Sequence, residues 1–349
     1  MNQLSPNVPS SVSQNLLNIW KTRYVAKAQN VSTDTGSDFR KYPLEFVASK
    51  ADRRRTLEKL TDKRIKEASH RAAARTKSLY LQHEYLQFND TVDLSKFTLA
   101  TIPVLLRYYQ QQEPLVIAPD PGTVANPSDV QFGIAKVSDL ANHLGNCFAE
   151  FQAQHAASKD WLVQCFLTTQ ISLTSVSLLG ALDPVEQAMF SPYCNLLEEY
   201  VSIPWWRLCQ SAAQHSQPSP HYRLVEKMLP RTSEISLTVF EEWRQQFGTY
   251  TGARGNLRDL KLRRSSIRDF DMFQIYLWLS FLDGTSDIFE KELVMFCAYI
   301  FKGLGIPWVM TVTGTRLLLE EILSQLTSEE QAIASNAISG MMRAFQTVK

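Results

Sequence analysis

From residue 136 onward the chain is a succession of apolar segments. Most of them open on serine or aspartate and close on glycine or proline. That punctuation constrains the fold most. Ser and Asp side chains accept from the orphan N–H groups of a helix start, while Gly and Pro end helices. "KVSDLANHLGNCFAEFQAQHA" offers Ser138 or Asp139 as a cap, and "SPYCNLLEEYV" sets Ser191 before Pro192, a cap followed by proline at the first helical position. "SEISLTVFEEWRQQFG" runs from Ser233 to Gly248, and "SSIRDFDMFQIYLWLSFLDG" runs from a serine pair to Asp283-Gly284. "SDIFEKELVMFCAYIFKGLGIP" starts at Ser286 or Asp287 and stops at Gly-Leu-Gly-Ile-Pro. "KDWLVQCFLTTQISLTSVSLLGAL" is richer in Thr, Ser and Ile, yet its length favours helix over strand. No turn dipeptide separates alternating strands, and no βαβ alternation appears. The expected fold is all-α.

The front of the chain is different. Residues 1–39 are polar with scattered Pro and Gly, and no acid precedes Asp34, which predicts a disordered or extended tail. Residues 40–90 form a basic helical arm, free of Pro and Gly from Lys50 to Phe88. Residues 91–150 hold a helix interrupted near Pro103, then a Pro-rich loop at 113–131. Residues 151–349 make up the main helical domain. A length of 349 residues is enough for more than one core.

Charge is unevenly spread. The whole chain is +1, but from Arg40 to Lys77 there are 13 Lys and Arg against 5 Asp and Glu. In the arm, Leu57, Leu60, Ile65, Ala68 and Ala72 give a narrow apolar stripe, which predicts a helix lying along a partner and poorly ordered alone. Arg53, Arg54, Arg55, Lys59, Lys63, Arg64 and Lys66 are its expected partner-binding residues. An acidic protein surface, an anionic membrane face or nucleic acid would suit such an arm. A solvated helix face is the plain alternative.

Chemistry-bearing motifs are missing. There is no GxGxxG, P-loop, GxSxG or HExxH. The five cysteines include no CxxC pair, and the six histidines no metal-ligand spacing, so neither a catalytic nor a metal site is expected. No apolar run is long enough to span a membrane. Trp205-Trp206 stands in an apolar setting that suits a core or an interface better than base stacking.

From Arg268 to Pro307 the chain resembles the phycobiliprotein family, the globin-like α-helical light-harvesting subunits. That family carries a Cys-Leu-Arg-Asp signature at the start of a long helix, then a Gly-Asp-type turn, a second helix and a Leu-Gly-x-Pro stop. Here "SIRD" (Ser266 to Asp269), "LDGTSDIFEK" (Leu282 to Lys291) and "GLGIP" (Gly303 to Pro307) take those places. Upstream, "FSPYCNLLEEYV" looks like the family's Leu-Ser-Pro helix start. The resemblance is strong over about 40 residues and extends over roughly the last 165. It implies a globin-like C-terminal domain.

The family's bilin-attaching cysteine falls on Ser266, whose hydroxyl cannot form the thioether. The resemblance leaves Arg268 and Asp269, with Arg263 and Arg264 upstream, as the rim of a non-covalent bilin-like pocket, Asp facing pyrrole nitrogens and Arg facing propionates. The alternative is that Arg268 and Asp269 only charge a helix start.

A pigment-less phycobiliprotein-like domain behind a basic arm implies a non-catalytic linker, assembly or regulatory factor of phycobilisomes. Its partners would be phycobiliproteins or another acidic photosynthetic protein, and its place the cytoplasm or stroma beside the thylakoid membrane. One rival is a globin-like sensor holding bilin or another hydrophobic ligand non-covalently. The other is a nucleic-acid-binding regulator using the basic arm; its lack of interleaved aromatics speaks against it.

Overall fold

A computed structural model describes residues 15–16, 18–20, 22–24, 26–27, 49–80, 88–112, 115–117, 131–134, 136–137, 139–140, 142–145, 147, 161–216, 219–252, 255–303 and 305–347. These residues are overwhelmingly helical, as the capping pattern predicts. They divide into two compact units, one of Met1–Trp20 with Ser202–Lys349 and one of Lys21–Val201. The 151–349 stretch is therefore shared between the units, and the basic arm lies inside the second of them.

In the 21–201 unit the helices are α1 (Lys50–Lys59), α2 (Asp62–Tyr80), α3 (Phe88–Gln111), α4 (Trp161–Leu179) and α5 (Pro184–Ser202). Helix α2 packs on α3 and α4, and α1 packs on α3. This corrects the expectation of a partner-dependent arm. Ile65, Ala68 and Ala72 are buried as read, and Ser69 and Thr76 widen the stripe enough to seat α2 on its own unit. Helix α3 runs unbroken through Pro103. The Pro-rich loop lies mostly outside the described residues, but Leu115–Ile117 (β2) pairs antiparallel with Gln131–Gly133 (β3). Ala26–Lys27 (β1) pairs with the other side of β3.

The start of α5 is a second correction. Ser191-Pro192 lies within the helix. The real cap is Asp183, whose Oδ1 accepts from Val185 N and Glu186 N at 3.0 Å each. The Glu186 carboxylate accepts in return from Asp183 N at 3.0 Å. Proline at the next position, Pro184, loses no helical donor there.

The other unit contains α6 (Trp205–Ala212), α7 (Pro220–Met228), α8 (Thr232–Gln246), α9 (Leu260–Asp283), α10 (Val294–Gly303), α11 (Trp308–Ser324) and α12 (Ser328–Gln346). A π-helical turn, Phe289–Leu293, leads into α10, and two short strands, Thr251–Gly252 and Gly255–Asn256, pair between α8 and α9. Helix α9 is the central element, packing on α6, α8 and α12. From Phe270 to Leu282 every residue is buried. Its end is as expected: Gly284 takes φ +66°, and Gly305 takes φ +68° before Pro307 opens α11. Such positive φ values suit glycine, which has no Cβ to clash.

The tail reading is corrected for its described residues. Leu16 and Trp20 are buried, and Trp20 stacks on Trp205 with centroids 6.2 Å apart. Asn15 Nδ2 donates to the Tyr222 hydroxyl at 3.0 Å. Residues 1–14, 17, 21, 25 and 28–39 of that stretch lie outside the described residues.

Candidate functional site

The first candidate is the "SIRD" region of α9. The helix begins at Leu260, so the signature sits in its second and third turns instead of at its start. Asp269 is then too far from the N-terminus to gain from the helix dipole, which acts within the first turn. The helix-start explanation of Arg268 and Asp269 is thereby removed.

The five rim residues do not converge. At about 100° per residue, positions 263, 264, 266, 268 and 269 point around most of the helix circumference. Arg263 turns to α8, where Nε lies 3.5 Å from Glu241 Oε1 and the guanidinium sits 5.8 Å from the Phe240 ring centroid. Arg264 is exposed and Ser266 half-buried. Arg268 Nη2 lies 3.3 Å from Asp269 Oδ1.

One turn further on, α9 holds a buried polar cluster that sequence reasoning passed over. Ser236 Oγ donates to Asp271 Oδ1 at 2.7 Å. Gln274 Nε2 donates to Ser236 Oγ at 2.8 Å and to the Thr232 carbonyl at 2.9 Å. The signal was present: Asp271 and Gln274 are polar, three apart, and embedded in an apolar run. Ser236 and Gln274 are fully buried, so the cluster ties α8 to α9 and is closed to substrate. Burial likewise pushes the Cys209 thiol up to about 12, which leaves no thiolate for nucleophilic chemistry.

The second candidate is the basic arm, and its seven predicted residues separate sharply. Arg53 is fully buried, contrary to a docking role. It donates to the Tyr109 carbonyl and lies 4.9 Å from the Tyr109 ring centroid. That ring meets Phe190 and Tyr193 edge-on at 5.1 and 5.2 Å, and burial holds the Tyr109 phenol above its ordinary range. Arg53 therefore fastens α1 to α3. Lys59 is also engaged, with Nζ 2.7 Å from Glu186 Oε2 and 3.2 Å from Asp183 Oδ2. Arg55 pairs with Asp52 at 3.4 Å, and Arg64 Nη1 donates to the Lys59 carbonyl at 3.0 Å.

Arg54, Lys63 and Lys66 are exposed, and no carboxylate among the described residues lies within ion-pair distance of them. The outer side of α2 adds His70, Arg71, Arg75 and Lys77, all exposed and not singled out from sequence. Charge counting had marked the whole 40–77 stretch, but only the buried stripe tells which of its cations face out. That side carries a single acid between Lys63 and Ser78, Glu67. Together these side chains can attract and orient an anionic surface; they hold no acid–base pair or metal-ligand set. Among the described residues no group of three or more His, Cys, Asp or Glu could hold a metal ion. Among the same residues no helix is long and apolar enough to cross a membrane.

No family model, curated protein or solved structure matches this chain.

Proposed function

We propose that this chain is a non-catalytic interaction protein of the phycobilisome, a linker, assembly or regulatory factor that docks an acidic phycobiliprotein surface through the outer face of α2. The observation that carries this reading is the set of exposed cations Lys63, Lys66 and Arg75 on that side, which have no acidic partner among the described residues. The choice of partner rests on the resemblance of Arg268 to Pro307 to phycobiliproteins. On this reading the protein works in the cytoplasm or stroma beside the thylakoid membrane, and Ser266 carries no covalent pigment.

Each exposed charge pair contributes only a few tenths to about 1 kcal/mol. Several acting together govern encounter rate and partner choice. Docking should weaken steeply as ionic strength rises past about 0.15 M, where the Debye length is near 8 Å. The test is a pull-down from a phycobilisome-containing extract, comparing wild type with the triple variant Lys63→Glu, Lys66→Glu and Arg75→Glu. Wild type should recover phycobiliproteins at low salt and the variant should not. Equal recovery by both removes α2 as the docking element. Recovery of nucleic acid without phycobiliprotein replaces this reading with the regulator.

A further inference from the structure

The outer face of α2 has an internal order that specifies its partner more closely than net charge does. At 100° per residue, Lys63, His70 and Ala74 lie along the centre line of the exposed side, opposite Ile65, Ala68, Ala72 and Thr76 on the buried side. Lys66 and Lys77 flank one edge. Arg64, Arg71 and Arg75 flank the other. With a rise of about 1.5 Å per residue, the three arginines are spaced by about 10.5 and 6 Å. They stand on a helix seated against α3 and α4, so the spacing is fixed before binding.

We infer that this face binds a carboxylate-bearing helix of an acidic protein, with Arg71 and Arg75 each gripping a carboxylate through two parallel N–H···O bonds. The inference rests on the docking reading above and names the partner's chemistry. Three observations favour a protein helix over a nucleic-acid backbone. Glu67 sits among the cations, where a phosphate chain meets only repulsion while a helix can set a Lys or Arg opposite it. No Phe, Tyr or Trp lies between Lys63 and Ser78 to stack a base. Ala74 leaves the centre of the face low, which admits the side chains of a second helix packed alongside. Arg71 Nη2 reaches Ser177 Oγ only at 3.5 Å, a contact weak enough to exchange for a carboxylate.

Planar guanidinium and compact ammonium carry the same charge but differ in geometry, and that difference supplies the test. The full chain is titrated by fluorescence anisotropy against two labelled probes, a stapled Glu-rich helical peptide and a random-sequence DNA duplex. Wild type should prefer the peptide. Arg71→Lys with Arg75→Lys should weaken peptide binding about tenfold while leaving DNA binding unchanged, since phosphate neutralisation counts charge. Arg71→Glu with Arg75→Glu should abolish peptide binding, with circular dichroism confirming native helicity. The inference is overturned if the lysine variant binds the peptide as wild type does, if DNA binds more tightly than the peptide, or if the peptide does not bind. Arginine-dependent peptide binding with an empty phycobilisome pull-down removes the phycobilisome assignment alone. A positive pull-down with no peptide binding removes this inference alone.

Discussion

Arg53 stands in a run of three arginines, and charge alone would assign all three to solvent. One of them instead lays its buried guanidinium against the Tyr109 ring, which itself meets Phe190 and Tyr193 edge-on, while Arg54 is exposed and Arg55 pairs with Asp52. Replacing Arg53 by Ala removes a buried charge-assisted hydrogen bond and the packing of its stem, at a cost of about 3 kcal/mol. Urea unfolding should show that loss, and Arg54→Ala should show almost none. Gly314 is another position where one atom decides. A Cβ there would come within 3.0 and 3.1 Å of the Phe270 ring and 3.4 Å of Trp243. Gly314→Ala should therefore cost about 1–3 kcal/mol by the same measurement, since the rings on both sides are themselves packed. At Ser266 the expectation is chemical. Co-expression with bilin synthesis should give no zinc-fluorescent band on a denaturing gel, and such a band persisting in Ser266→Ala would place covalent attachment elsewhere in the chain. The Ser266 expectation comes from the sequence, but neither the burial of Arg53 nor the tight seat of Gly314 was legible there. Burial of Arg53 depends on residues more than fifty positions away, and no local pattern reports it.

Helix ends were legible where the backbone itself demands a residue type. Asp283-Gly284 and Gly305 with Pro307 are such places, because only glycine accepts the positive φ without strain. Starts were misread where two caps competed. Ser191-Pro192 and Asp183-Pro184 both fit the cap-then-proline pattern, and the chain uses Asp183 because Glu186 returns the hydrogen bond and Lys59 binds both carboxylates. The same device opens α12, where Thr327 accepts from Glu330 N and Glu330 accepts from Thr327 N. Lys227 Nζ adds an ion pair to Glu330 at 2.7 Å. These contacts have a pH signature. The hydrogen bond from Lys227 holds the Glu330 carboxyl below its ordinary value. At Asp183 burial works upward, but the Glu186 N–H and Lys59 outweigh it and the net direction is also down. A carboxyl depressed on folding stabilises the fold above its unfolded pKa of about 4, and that stability is lost as pH falls through the folded value. Urea midpoints should thus fall between about pH 4 and lower values, and Glu330→Gln should flatten part of that fall. At neutral pH the same variant should cost only a few tenths of a kcal/mol, because the Gln amide oxygen still accepts from Thr327 N and only the ion pair to Lys227 is lost. Both partners are partly solvent-exposed, so the ion pair adds little beyond the cap.

At the scale of the whole molecule, the all-α class followed from periodicity and capping, but the division of the chain did not. A domain boundary drawn along the sequence assumes that neighbours in sequence share a core. Here Met1–Trp20 belongs with Ser202–Lys349, and the 181 residues between them, Lys21–Val201, form the other unit. Polar composition marked the first 39 residues as a tail. Two apolar anchors, Leu16 and Trp20, were too sparse to register as a pattern, yet each is almost fully buried. The stack of Trp20 on Trp205 closes that unit around its N-terminal segment. Trp20→Ala should then destabilise the 202–349 unit by about 3–5 kcal/mol, the cost of emptying a buried tryptophan site. The arm-bearing unit should be untouched, because the contacts of Arg53 with Tyr109 and the packing of α2 on α3 and α4 lie within that unit. Urea unfolding followed by tryptophan fluorescence and by far-ultraviolet circular dichroism should separate into two transitions in the variant, the first shifted to lower denaturant. A single transition shifted as a whole would mean that the units unfold together. An unshifted first transition would mean that the N-terminal segment adds nothing to the core it touches.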